Sequence, residues 1–87
     1  MGQKTMHQRV AEVLLEMPKY FKSCSNGFID IQLRREDLAN LVGVATESLI
    51  RVLSYFQNEG WIVTRGKQLK INEIEKLKQF SQGHILK

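Results

Sequence analysis

Cysteine is nearly missing from this sequence: Cys24 is the only one. A single thiol builds no internal disulfide, no iron–sulfur cluster and no cysteine-based zinc site. It sits in Lys22-Ser23-Cys24-Ser25-Asn26-Gly27, a turn-rich stretch that reads as a loop around an incidental thiol. Histidine is almost as scarce. His7 and His84 are far apart and have no acidic or cysteine partner at ligand spacing, so a metal site is not expected. No apolar run approaches the roughly 18 residues that cross a bilayer. The first residues, Met1-Gly2-Gln3-Lys4-Thr5-Met6, lack the apolar stretch of a signal peptide. A cytoplasmic protein without membrane contact is the expectation. There is no Ser/His/Asp set, no phosphate-cradling glycine loop and no nucleophile elbow, which points away from an enzyme. With 87 residues, one domain is the natural count, and its core must be small. An enzyme with a deep enclosed site is thereby excluded, whereas a binding module is not.

Apolar residues make up 43% and charged residues 25%, values that fit a globular chain. Thirteen Lys plus Arg against nine Asp plus Glu give a net charge of +4. The excess is concentrated: residues 60–87 hold six basic and two acidic groups, whereas residues 34–59 hold three and four. An anionic partner is favoured, but only weakly.

Met6, Val10, Val13, Leu14, Met17 and Phe21 recur at helical spacing and predict a first helix from about Gln3 to Lys22. Its apolar stripe fits a core face or the continuation of a preceding dimer helix. Pro18, the only proline, predicts a kink or broken turn near Met17. Phe28–Leu33 reads as a short strand. Arg34–Val42 reads as a short helix with Glu36 and Asp37 in its first turn, ended by Gly43. Thr46 is expected to cap the next helix, in which Leu49, Val52, Leu53 and Phe56 form one buried stripe until Glu59-Gly60 stops it. Trp61–Arg65 and Gln68–Ile71 predict two strands around a Gly66-Lys67 loop, with Trp61 in the core. Asn72 is expected to cap a last helix that turns Ile74, Leu77 and Phe80 inward, followed by a frayed tail from Ser81 to Lys87.

Two short helices joined by a tight glycine turn, then a basic hairpin, make a mainly α fold with a small antiparallel β component: a winged helix-turn-helix. Ala39 is small where the second helix passes over it. Leu38, Val42, Val44, Leu49 and Val52 fill the space between the helices. The outward face of the second helix, by elimination, is Ala45, Thr46, Glu47, Ile50, Arg51 and Ser54. Such a face suits the major groove of DNA. Glu47 and Arg51, one helical turn apart, share that face and can orient each other or form a surface ion pair. Arg65, Lys67, Gln68 and Lys70 suit phosphate contacts or a solvated sheet edge.

The residues also resemble a known family. Arg9-Val10-Ala11 with Leu14-Leu15 is similar to the start of the C-terminal domain of the Crp/Fnr transcription regulators. Leu33–Ala39 with Val42-Gly43 resembles their first helix-turn-helix element, and Thr46–Leu53 their recognition helix. Asn58–Ile62 and Arg65-Gly66-Lys67 resemble the approach to the wing and its turn. The likeness covers about residues 7–82. It implies a single DNA-binding domain over residues 1–87, with an ordered core of about 5–81, from a homodimeric regulator. The effector domain and dimer helix of such a parent are expected to be absent, and no cofactor is expected in this chain. Double-stranded DNA is the implied partner, with RNA polymerase a candidate. The implied recognition helix is 46–58 and the wing 61–71. Implied base contacts are Thr46, Glu47, Ile50 and Arg51. Implied phosphate contacts are Arg35, Ser48, Ser54, Arg65, Lys67, Gln68 and Lys70. Thr46 departs from the family's usual Arg or Val, and Ile50 from its Ser or Gly. Ile50 suits either a thymine methyl or plain exposure, so the target sequence cannot be copied from a relative. Two rival readings stay open: a winged helix used for protein–protein contact, and one from another DNA-binding family such as a replication initiator.

Overall fold

The structure, a computed structural model, describes residues 5–24 and 26–83. The expected helix start at Gln3, Ser25 of the loop, His84 and the end of the tail lie outside them. Four helices and a three-stranded sheet follow in the order α1 (Met6–Tyr20), β1 (Ile29–Asp30), α2 (Arg35–Val42), α3 (Thr46–Asn58), β2 (Ile62–Arg65), β3 (Gln68–Ile71) and α4 (Ile74–Ser81).

Thr5 starts α1. Its hydroxyl accepts from the Gln8 amide at 3.2 Å, and its own amide donates to Gln8 Oε1 at 2.7 Å. This reciprocal pair satisfies two amides that a helix start leaves unpaired. Pro18 does not break α1, which continues to Tyr20. The proline lies in the last turn, so the missing N–H costs only one hydrogen bond before the helix ends. Val10, Ala11, Leu14 and Met17 of α1 are buried. The helix packs mainly on α4, where Leu77 is fully buried.

The reversal between α2 and α3 depends on Gly43, whose φ of 89° lies in the left-handed region. The amides of Gly43 and Val44 both donate to the Ala39 carbonyl, at 2.8 and 3.0 Å. Leu38, Ala39 and Val42 of α2 then meet Leu49, Val52 and Leu53 of α3 in one core. Thr46 does not cap α3. It is the first helical residue, and Ala45 holds the cap position without a side-chain bond. The turn is so short that Val44 and Ala45 complete it, pulling the helix start onto Thr46.

The sheet is antiparallel with β3 in the centre, in the order β1-β3-β2. Ile29 faces Leu69, and Ile62 faces Ile71. The expected strand over Phe28–Leu33 shrinks to Ile29–Asp30. Beyond it the Ile31 amide still reaches the Lys67 carbonyl at 3.1 Å before the chain turns into α2. Asn72 does not cap α4. Its amide and that of Glu73 close onto the Trp61 carbonyl, which leaves Glu73 at the cap without a side-chain bond. Ile74 therefore starts α4 facing outward at 55% exposure, contrary to the inward orientation its spacing suggested. Phe56, Trp61 and Phe80 stack around one another with ring centroids 5.4–5.7 Å apart. Trp61 thus belongs to the core, as its position after a helix stop implied.

Candidate nucleic-acid interface

α3 is an amphipathic helix held by one side only. Leu49, Val52, Leu53 and Phe56 are buried, while Glu47, Ile50, Arg51 and Ser54 are exposed, with Ala45 just ahead of them. Thr46 and Ser48 are half-buried at its start. The structure thus brings the face expected from the sequence together on one surface. Among the described residues, Glu47 and Arg51 form no ion pair with each other or with any neighbour. Their carboxylate and guanidinium remain available to a ligand. Ile50 stands between them at 47% exposure.

The wing is fastened to α3 and to the start of α2. Thr64 Oγ1 donates to Gln57 Oε1 of α3 at 3.1 Å. Arg35 donates from Nη2 to the Gly66 carbonyl at 3.3 Å. Gly66, at φ 61°, allows the two-residue reversal that puts Lys67 at the tip. Lys67 is exposed, and among the described residues its ammonium has no partner.

The register divides the basic residues of the hairpin. Arg65 pairs with Gln68 and Val63 with Lys70 across the strands, so these four share one face of the sheet. Thr64, on the opposite face, meets α3. Arg65, Gln68 and Lys70 consequently face away from α3 and toward the 22–28 loop. There Arg65 lies over the Phe28 ring, 4.9 Å from its centre. Gln68 Nε2 donates to Cys24 Sγ at 3.5 Å. The Lys70 stem runs over Gly27, where an added Cβ would come within 3.5 Å of its Cε. Only the order of the strands could have revealed this, because sequence spacing does not say which neighbour covers a strand.

Sequence reasoning gave Arg9 no structural task. Its Nη2 donates to the Val42 carbonyl at 2.6 Å, from α1 to the last residue of α2. A signal was present: α2 has no basic residue of its own in its last turn.

Helix, tight turn, exposed helix and hairpin define a winged helix-turn-helix. Comparison with known proteins gives the family. The model of the Crp-like helix-turn-helix domain matches residues 8–80, and the chain belongs to that family. It is therefore a DNA-binding domain of the transcription-regulator class. A CRP-like cAMP-activated global transcriptional regulator of Mycobacterium tuberculosis is 34% identical over 71 residues, covering 79% of this chain and 32% of its own length. The transcriptional activator protein anr of Pseudomonas aeruginosa is 29% identical over 89 residues, covering 98% and 36%. The chain thus spans about a third of the curated relatives it matches. FixK2 from Bradyrhizobium japonicum superposes with a TM-score of 0.78 at 28% identity, over 90% of this chain and 39% of that one. A CRP/FNR-family regulator from Thermus thermophilus shares the fold at a TM-score of 0.80 and 21% identity, over 91% and 41%. The match sets aside an unrelated winged-helix family and places the chain among DNA-binding domains. No helix among the described residues is long and apolar enough to cross a membrane.

Proposed function

We propose that α3 enters the major groove and reads sequence through Arg51 and Glu47, as part of a longer homodimeric regulator. The observation that carries this is the pair itself. Two opposite charges stand one helical turn apart, exposed and without a partner among the described residues, on a helix anchored by its other side. Arg51 can donate two hydrogen bonds to guanine O6 and N7, and Glu47 can accept from cytosine N4. Ile50 between them suits a thymine methyl, and Thr46 the edge of the half-site. Lys67 at the wing tip is the leading phosphate contact, with Arg35, Ser48 and Ser54 flanking the groove. Arg65, Gln68 and Lys70 contribute less, because Phe28, Cys24 and the Gly27 turn already hold them.

Several features support the wider setting. The relatives are named as transcription regulators, and the matched parts cover only 32% and 36% of their lengths. A dimer would place two copies of α3 about one DNA turn apart and favour a palindromic site. RNA polymerase is the partner by which a DNA-bound regulator of this class would act, in the cytoplasm. The chain itself supplies binding and no catalysis.

The test is enrichment of duplexes from a random-sequence pool by the 87-residue chain at low salt. The expected result is a short shared motif rich in G·C pairs where Arg51 and Glu47 read. A folded chain that enriches no motif overturns the reading.

A further inference from the structure

We infer that Arg9 is a positioning residue for DNA reading: from α1 it locks the α2–α3 turn and thereby the angle at which α3 is presented. The inference rests on the groove reading above and adds to it a residue that touches no DNA.

A helix end leaves its last carbonyls unpaired and carries partial negative charge, which a nearby cation relieves. A basic residue in the last turn can meet this need, but α2 has none there. Its cation comes from a different helix: Arg9 Nη2 lies 2.6 Å from the Val42 carbonyl, in a part-buried bond spanning 33 positions of sequence. Gly43 makes room for it. A Cβ at that position would meet Arg9 Nη2 at 2.8 Å, so the glycine serves the reversal and the seat of the guanidinium together. Around this bond the backbone reverses within Gly43–Ala45 and starts α3 without any side-chain cap. No side-chain cap fixes the head of α3, so the Arg9 bond is a side-chain constraint on the turn, beside the Gly43 and Val44 amides that close onto the Ala39 carbonyl. Base readout needs the helix held to about half an ångström, whereas phosphate attraction tolerates looser placement. Loss of Arg9 is therefore felt in specificity before overall affinity.

The experiment compares the 87-residue chain with Arg9→Met, which keeps the bulk of the stem and removes the donors, and with Arg9→Lys, which keeps the charge. Binding is measured on the duplex enriched by the unmodified chain and on a scrambled duplex of equal composition. Residual dipolar couplings give the α2–α3 orientation in the free proteins. Arg9→Met is expected to weaken the enriched duplex about tenfold, the scale of one charge-assisted bond, and to leave the scrambled duplex within about twofold. Arg9→Lys is expected to recover part of the loss. Equal weakening on both duplexes would make Arg9 a phosphate contact and overturn the inference, as would no change on either. Should Arg9→Met fail to fold, Arg9→Lys carries the test: its preference for the enriched duplex must fall, and an unchanged preference counts against the inference. Failure of the unmodified chain to enrich any duplex would defeat the groove reading alone. In that event the free-state couplings still decide, and unchanged helix orientation in the folded variant refutes the role of Arg9.

Discussion

Arg35 donates to the Gly66 carbonyl at 3.3 Å, so the first residue of α2 holds the turn of the wing. The next carbonyl, that of Lys67, accepts the Ile31 amide at 3.1 Å. A two-residue turn that would otherwise project freely is thus tied from two sides to the segment leading into the helix-turn-helix. Lys67 is displayed at a fixed place beside α3. In Arg35→Ala one tie is lost, and backbone order parameters of Gly66 and Lys67 should fall while those of β3 hold. Unchanged order at the tip would show that the arginine bond is idle.

Arg51 and Lys67 should divide the work of binding. Arg51→Ala should abolish the preference for the enriched duplex over a scrambled one, a loss of about 1–3 kcal/mol for one bidentate base contact. Lys67→Ala should weaken both duplexes alike and lower the slope of log affinity against log salt by about one. Fluorescence anisotropy across a salt series measures both. Equal losses for both variants on both duplexes would refute the division.

Phe56 is fully buried at the centre of the aromatic group formed with Trp61 and Phe80. Phe56→Ala removes ring contacts and leaves a cavity, at a cost of about 3–5 kcal/mol. In a domain this small that is most of the expected stability. Urea unfolding followed by Trp61 fluorescence should show a midpoint near zero denaturant. A midpoint close to that of the parent would mean that the core is not organised around this ring.

Thr5 and Gln8 form the reciprocal cap of α1. Thr5→Ala should cost about 1 kcal/mol. In a domain of this size that lowers the thermal midpoint by about 4–8 °C. Thr5→Ser should lose far less, since it keeps the accepting oxygen.

The helix-turn-helix was legible because each signal was local. Gly43 marked the reversal, Ala39 the close crossing, and Leu49, Val52, Leu53 and Phe56 the buried side of α3. The outer face of α3 followed by subtraction. What was not legible depended on contacts between distant segments. Thr46 and Asn72 have the chemistry of caps, but the short turns before α3 and α4 set those helix starts one residue away from where a cap would help. Ile74 matched the inward spacing of Leu77 and Phe80, yet it falls at the very start of α4, where the closure onto Trp61 turns it to solvent. Gln68 and Lys70 read as phosphate contacts or a solvated sheet edge. The pairing of β3 with β1 brings the Cys24 loop across them, and no local pattern encodes that pairing.

The central claim is that the outward face of α3 and the tip of the wing meet DNA. It is tested most directly by an amide-shift titration of the 87-residue chain with a short palindromic duplex and a scrambled control at low salt. The account predicts shifts concentrated at Thr46–Ser54 and around Lys67, larger with one duplex than with the other. Shifts confined elsewhere, or none with either duplex while the chain remains folded, would contradict it.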